Sequence, residues 1–101
     1  MPNVVVRYRT KPDRADENQQ LVEKVFAELE EMKATGFAYA SFRLEDGVSF
    51  VHVSVEHGNG SGSLADVPAF REFLADIDDR CDEPPAALGA TVVGLHGWAQ
   101  N

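Results

Sequence analysis

The spacing of apolar residues in the first third of the chain predicts a strand followed by a helix. Residues 3–9 alternate on a β-branched background, which is typical of a strand. Apolar side chains in residues 21–32 then recur at spacings of three and four, with acidic residues mostly on the opposite side. We therefore predict one long amphipathic helix, with Asp13 or Asp16 as its N-terminal cap and Gly36 as its C-terminal cap.

Residues 37–57 predict two strands joined by a tight turn at Asp46-Gly47. With Glu45 and Val48 flanking the turn, one face of this hairpin is mixed: it pairs Arg43 with Phe50, Ser41 with His52, Tyr39 with Ser54 and Phe37 with Glu56. The other face is almost wholly apolar, with Ala38, Ala40, Phe42 and Leu44 opposite Val55, Val53, Val51 and Ser49. A sheet with these two faces needs cover on each side.

The remaining third predicts a loop, a helix and a last strand. Residues 58–63 are too rich in glycine for regular structure, and a second helix is expected to begin around residues 66–68. Residues 82–85 break that helix, and residues 90–98 alternate as a strand. The side chains that this helix is expected to bury are Val67, Phe70, Leu74 and Ile77.

The predicted order is β-α-β-β-α-β, an α+β arrangement typical of ferredoxin-like folds. Both helices then cover one face of a four-stranded antiparallel sheet, and we expect the apolar hairpin face to meet them. An aromatic patch would be left on the uncovered face, formed by Phe37, Tyr39, Phe50 and Trp98. Because a patch of this kind is rarely left exposed, we predict a homodimer whose two sheets pack face to face as a barrel.

Composition limits the classes of partner and the location. The 101 residues have room for a single domain spanning 1–101, and the net charge of −8 disfavours binding to nucleic acid or to an anionic membrane surface. The sequence has no apolar stretch of membrane-spanning length and no basic leader, so we expect a cytoplasmic protein. The single cysteine, Cys81, is expected to be a small buried residue near the end of a helix.

The candidate catalytic residues are His52 and Arg43, on the mixed face of the hairpin. Arg43 or Arg7 would hold an anionic or enolate oxygen, and His52 would exchange a proton at neutral pH. Alternation is expected to place Arg7, Arg9 and Arg43 with Tyr39, Ser41, His52 and Ser54. The candidate ligand-binding residues are Arg7, Tyr39, Ser41, Phe50, Ser54 and Trp98.

A purely structural interpretation of the same residues stays open. Arg43 and Arg7 would then pair with Glu56 or with acidic residues of a partner subunit, and His52 and Ser41 would satisfy each other at the interface. The other histidines have no carboxylate at a recognisable ligand spacing, so no metal site is expected. No flavin, nicotinamide or phosphate-binding fingerprint is present, and no cofactor is predicted.

Element order and two short segments give the chain a resemblance to the dimeric α+β barrel superfamily, most nearly to small proteins grouped around the antibiotic-biosynthesis monooxygenases. The segments are residues 50–56 (FVHVSVE), before a loop, and residues 68–73 (PAFREF), in the second helix. The resemblance implies a cavity between the sheet and the helices or between paired sheets, and activities that include cofactor-free oxygenation. Leu64 stands roughly where these proteins often carry a histidine, which weighs against haem cleavage.

Three functions follow from these features. The first is a cofactor-independent monooxygenase-like enzyme for an aromatic or polyketide-like substrate in a sheet-facing cavity. The second is a non-catalytic homodimeric module that binds a small aromatic or anionic ligand. The third is a structural homodimer without a pocket. The first two differ in whether Arg43 and His52 line a water-filled cavity or are consumed by cross-subunit pairs.

Overall fold

The computed structural model describes residues 3–33, 35–56 and 64–96, and it confirms the ferredoxin-like α+β fold. The strands are β1 (Asn3–Thr10), β2 (Phe37–Arg43), β3 (Ser49–Glu56) and β4 (Cys81–Ala90). The helices are α1 (Ala15–Met32), α2 (Pro68–Ala75) and a single turn, α3 (Ile77–Arg80). Short 3-10 turns at Pro12–Arg14 and Leu64–Asp66 precede α1 and α2.

The four strands form one antiparallel sheet in the order β2-β3-β1-β4, and the hairpin has the predicted register. Its turn is held by the Asp46 carboxylate, which accepts hydrogen bonds from the Ser49 hydroxyl (2.6 Å) and from the Ser49 and Val48 N–H groups (2.8 and 3.0 Å). These bonds, that from the Ser49 hydroxyl above all, lower the pKa of Asp46 to about 2. Gly47 follows with a φ of 80°, a conformation that glycine adopts without strain.

The ends of α1 differ from the prediction. Neither Asp13 nor Asp16 caps the helix; Arg14 occupies the cap position, and its side chain makes no capping hydrogen bond to the helix backbone. The helix ends at Met32 rather than at Gly36, because Lys33 already adopts the left-handed conformation, with a φ of 52°, and its N–H bonds back to Glu30 O at 3.1 Å.

The prediction that the apolar hairpin face meets the helices is wrong, since the helices cover the mixed face. The Tyr39 ring stacks on Phe26 of α1 with centroids 5.1 Å apart, and the His52 ring lies 5.5 Å from Phe73 of α2. The physical reason is that aromatic rings with polar ends can bury their large apolar surface when their polar atoms find partners inside the core. The polar atoms of this face do so, as described below.

The register of β1 corrects the placement of the arginines. Val6 pairs with His52 and Arg7 pairs with Val51, so that Arg7 and Arg9 lie on the face away from the helices. They are therefore on the opposite side of the sheet from Tyr39, His52 and Arg43. Arg7 and Arg9 do share one side of β1, but alternation alone does not say which side of a strand faces the helices.

The last strand lies earlier in the chain than residues 90–98. Residues 82–85, predicted as a break, belong to β4, which pairs with β1 through register shifts between Arg7 and Thr10. Pro84 and Pro85 fit because β4 is an edge strand and both residues lie where its register against β1 shifts, and proline is tolerated at edges and bulges. Residues 91–96 follow without regular structure, and Trp98 lies outside the described residues.

The core lies between the mixed face of the sheet and the helices. Helix α2 begins at Pro68, as expected, but it buries Phe73 (5% exposed) and leaves Leu74 46% exposed. Val67 and Ile77 are buried as predicted, and Phe70 is half-buried. Cys81 is buried at the start of β4, directly after α3, and burial raises the pKa of its thiol.

Replacing Phe73 by Ala is expected to lower the free energy of unfolding by about 3 to 5 kcal/mol, because it empties the centre of the aromatic core. The matched control is Leu74→Ala, one residue along the same helix, for which we expect a loss below about 1 kcal/mol. Urea denaturation followed by circular dichroism measures both. Equal losses, or a larger loss for Leu74→Ala, would contradict the observed orientation of α2, in which Phe73 is buried in the core and Leu74 is not.

Candidate functional site

A cavity of about 210 Å³ lies between the sheet and α2. Its walls are mostly apolar, and its polar groups are on the sheet side. The polar lining residues are Tyr39 from β2 and His52 and Ser54 from β3. The apolar lining residues are Val4, Val6, Leu64, Phe70, Leu74 and Pro85.

Strand pairing places the three polar residues on one wall. Tyr39 is paired with Ser54 across the hairpin, and His52 is two residues from Ser54 on the same strand, so that all three point to the same side. This grouping was predicted from the sequence. What was not predicted is that this wall faces the helices within one chain.

His52 is buried, at 4% exposure, and both of its ring nitrogens are hydrogen-bonded. Nε2 lies 2.7 Å from the Tyr8 hydroxyl, while Nδ1 lies 2.7 Å from Ser41 Oγ and 2.8 Å from the Tyr39 hydroxyl. Burial lowers the pKa of His52 to about 4, because the imidazolium would lose its hydration. His52 is therefore a neutral imidazole at pH 7.

The network continues away from the cavity to two residues that sequence reasoning missed. Asn18 Nδ2 donates to the Tyr8 hydroxyl at 2.8 Å, and Arg80 Nε donates to Asn18 Oδ1 at 3.1 Å. Arg80 is 1% exposed; it also donates to Phe73 O at 2.7 Å, and its guanidinium carbon lies 5.3 Å from the Phe73 ring centroid. Among the described residues, no buried side-chain nitrogen or oxygen lacks a hydrogen-bond partner.

A sequence signal for Asn18 existed. Ala15, Asn18, Val22 and Val25 follow one another at spacings of three and four and are all buried, so Asn18 is a polar residue on the apolar stripe of α1. A buried polar group must find a partner, and this requirement marks Asn18 as part of a network. Arg80 had no comparable signal, because its position depends on the single-turn helix α3.

Arg43 lies on the helix side of the sheet but not at this cavity. Its guanidinium donates to Gly47 O (2.9 Å), Asp16 Oδ1 (3.0 Å) and Gln19 Oε1 (2.7 Å). It lines a separate recess of about 260 Å³ together with Phe50 and Ser41. The sequence-predicted residues are thus divided: Tyr39, His52 and Ser54 share the cavity; Arg43, Phe50 and Ser41 share the recess; and Arg7 is on the far face.

Within residues 3–33, 35–56 and 64–96, no group of three or more histidine, cysteine, aspartate or glutamate side chains is arranged to hold a metal ion. None of the helices in those ranges combines the length and the apolar character needed to cross a bilayer.

The fold is that of several solved structures. An antibiotic biosynthesis monooxygenase superposes with a TM-score of 0.66 at 14% identity, covering 93% of this chain and 100% of its own. A protein of Caulobacter crescentus CB15, proposed to be an antibiotic biosynthesis monooxygenase, gives 0.64 at 18% identity, with coverage of 91% and 89%. A protein of Mycobacterium tuberculosis gives 0.63 at 16% identity, with coverage of 92% and 95%. No family model and no curated protein matches the sequence.

These likenesses confirm at the level of fold the resemblance drawn from the sequence. The chain has the ferredoxin-like α+β architecture of proteins described as antibiotic biosynthesis monooxygenases, over nearly its whole length and nearly the whole of theirs. Structural similarity at 14 to 18% identity establishes the fold but not the reaction. The chemistry has to be argued from the cavity.

The buried neutral histidine predicts an acid-labile fold. The pKa of His52 falls from 6.5 to about 4 on folding, so the unfolded chain binds the proton more tightly, and stability declines as the pH drops from 6.5 to 4. The loss attributable to this residue is about 3 kcal/mol. In His52→Gln, whose amide can donate and accept but does not titrate, this part of the decline is expected to disappear.

Urea unfolding at a series of pH values measures the difference between the two proteins. The carboxylates contribute equally to both, so only the difference between the curves reports on His52. An exposed histidine variant, His96→Gln, is the control and should follow the unsubstituted protein. Parallel curves for His52→Gln and the unsubstituted protein would contradict the assignment of a neutral buried imidazole.

Proposed function

We propose that the protein is a small cofactor-independent monooxygenase-like enzyme that acts on a compact aromatic substrate in the cavity between the sheet and α2. The observation that carries the proposal is the cavity itself, an apolar space with all its polar side chains on one wall, at Tyr39, His52 and Ser54. The fold shared with an antibiotic biosynthesis monooxygenase supports it.

The size of the cavity limits the substrate. Pockets for drug-sized ligands begin at about 300 Å³, and this cavity holds about 210 Å³. A molecule of one or two rings fits this space. Its rings would contact the valine, leucine and phenylalanine walls, and its oxygen would lie at the polar wall.

The proposed reaction needs only the substrate and O₂. An enolisable or phenolic ring loses a proton, and the electron-rich carbon of the resulting anion attacks O₂. One oxygen atom ends in a new carbonyl group; the other leaves as water with two hydrogens of the substrate, which supplies all four electrons. The protein would hold the oxygen with hydrogen bonds from the polar wall, exchange the proton through His52 and exclude water.

A non-catalytic ligand-binding module is the second candidate, and one specific observation favours it. Arg43, the predicted anion-holding residue, already donates hydrogen bonds to Asp16, Gln19 and Gly47 within the chain. Both nitrogens of His52 are also engaged, and its pKa near 4 makes it a weak base. A module of this kind would bind the same aromatic molecule in the same cavity and leave it unchanged.

α-Naphthol is a suitable two-ring probe, because its oxygenation to the para-naphthoquinone consumes one O₂ and releases one water. We expect saturable binding, seen as quenching of naphthol fluorescence, and O₂ uptake matched by quinone absorbance. Replacing His52 by Ala should abolish turnover or binding. Since this variant opens a hole in a buried network, Tyr39→Phe, which removes only the hydroxyl, is tested beside it and should lower turnover at least tenfold.

Lys24→Ala is the control, because Lys24 is exposed and pairs with the exposed Glu72. It should leave binding and turnover unchanged. Binding without O₂ uptake would favour the binding module. If neither α-naphthol nor smaller phenols bind, the assignment of the cavity as a ligand site is wrong.

We further propose a cytoplasmic homodimer formed through the sheet face away from the helices. Its side chains are largely apolar, and Phe42 and Leu88 are 53% and 67% exposed. Cross-strand pairing joins Ala40, Val53, Val5 and Leu88 into one row across all four strands. An uncovered apolar row of this length is typical of an interface, and a second copy offers the same face. This is the face opposite to the one predicted from the sequence.

Replacing Val53 by Asp puts a charge at the centre of that row and should convert the dimer to a monomer, because an unpaired carboxylate cannot be buried there. Sedimentation velocity measures the change. Met32→Asp, at an exposed apolar residue at the end of α1, is the control and should remain a dimer. A monomeric unsubstituted protein, or a dimeric Val53→Asp variant, would contradict the proposed interface.

A further inference from the structure

We infer that Asn18 and Arg80 are positioning residues that fix the direction of the hydrogen bonds through Tyr8 and His52, so that the cavity presents a Tyr39 hydroxyl donor to a carbonyl oxygen of the ligand. The ligand part of this inference rests on the proposed function. The hydrogen-bond direction rests on contacts within the chain together with the neutral state of the buried His52.

The direction is set at Arg80. A guanidinium has donors and no acceptor, and it stays protonated in proteins. Its Nε–H therefore donates to Asn18, 3.1 Å away, and this bond identifies the nearer atom of the side-chain amide as the oxygen. The amide nitrogen must then face the Tyr8 hydroxyl, at 2.8 Å. An amide nitrogen only donates, so the Tyr8 oxygen accepts.

The bonds of the Tyr8 hydroxyl determine the tautomer of His52. The Tyr8 oxygen accepts from Asn18, and its own hydrogen can be given to His52 Nε2, 2.7 Å away. If Nε2 carried a proton instead, two donors would point at the Tyr8 oxygen and its hydrogen would need a further acceptor in a buried site. His52 is neutral and has one N–H. That hydrogen is therefore on Nδ1.

The Tyr39 hydrogen is not used in the contact between Tyr39 and His52. Nδ1–H donates to the Ser41 or Tyr39 oxygen, at 2.7 and 2.8 Å, and neither hydroxyl can donate to a protonated Nδ1. Burial raises the pKa of Tyr39 to about 12, so the hydroxyl keeps its hydrogen at neutral pH. The Tyr39 O–H is therefore a donor that the bond to His52 leaves unused.

Tyr39 lines the cavity, so its remaining O–H is available to a ligand there. An O–H donor in an apolar cavity selects an acceptor, and a ring ketone provides one without bringing a charge. The same donor would strengthen its bond as the ketone becomes an enolate, because the negative charge collects on that oxygen. The ligand class is thus a compact aromatic ketone or the keto form of a phenol.

The deciding substitution is Asn18→Asp, which keeps the shape of the side chain and replaces its donor with an acceptor. The carboxylate would accept from both Arg80 and the Tyr8 hydroxyl. The Tyr8 oxygen would then accept from His52 Nε2, and the network would reverse. Gln20→Glu is the matched control, since it makes the same charge change on an exposed position of the same helix.

Nitrogen-15 NMR of histidine-labelled protein at pH 7.5 reads the tautomer directly, with the His52 signals identified by their loss in His52→Gln. We expect the proton on Nδ1 in the unsubstituted protein and in Gln20→Glu, and a proton on Nε2 in Asn18→Asp. A proton on Nε2 in the unsubstituted protein, or an unchanged tautomer in Asn18→Asp, would overturn the inference.

Binding of α-tetralone against tetralin tests the ligand class, because the two differ only in the carbonyl group. In the unsubstituted protein and in Gln20→Glu, we expect tetralone to bind roughly 3- to 10-fold more tightly, the value of one hydrogen bond. In Asn18→Asp the preference should vanish. Equal binding of the two compounds would overturn the carbonyl assignment. If neither binds while the tautomers are as expected, the ligand site of the proposed function fails and the hydrogen-bond direction stands.

Discussion

The structure depends on a polar network that must be satisfied without water. Arg80 carries a charge at 1% exposure, and His52 lies at 4% exposure on the neighbouring sheet. Burying such groups unpaired would cost several kcal/mol each, more than a small domain can lose. The intervening side chains of Asn18 and Tyr8 join them into one chain of bonds. Helix α1, the sheet and α3 can therefore adopt only the relative positions in which every donor meets its acceptor.

This requirement also explains why the mixed face of the sheet is the inner one. Tyr8, Tyr39 and Phe50 each bring a large apolar ring, and the two tyrosine hydroxyls end on His52. Once those ends are paired, the face is as good a core as one made of valine. The valine-rich face is then left without cover from the helices, which is why we propose it as the dimer interface. The same side chains thus hold the fold together and line the proposed site, since the polar wall of the cavity is the end of the network.

The fold could be predicted from the sequence because it rests on local signals. The turn at Asp46-Gly47 fixes the hairpin register, and Pro68 marks the start of α2. The grouping of Tyr39, His52 and Ser54 followed from that register. Which face met the helices could not be predicted, since binary patterning counts a buried histidine as polar and cannot see partners on other elements. The last strand was misplaced for a similar reason: Pro84 and Pro85 indicate a break unless the strand is known to lie at an edge.

Pro84 and Pro85 also bear on whether two molecules can pair through the exposed edge of the sheet. An exposed sheet edge invites another strand to pair with it, and such pairing continues without limit into fibrous aggregates. Here Pro84 and Pro85 have no N–H to donate, and they lie in the outermost strand where its register against β1 shifts. Growth of the sheet sideways is disfavoured, whereas the proposed dimer would use up the apolar face after one partner. The two prolines that made this segment resemble a break in the sequence thus reduce the tendency of the edge strand to aggregate.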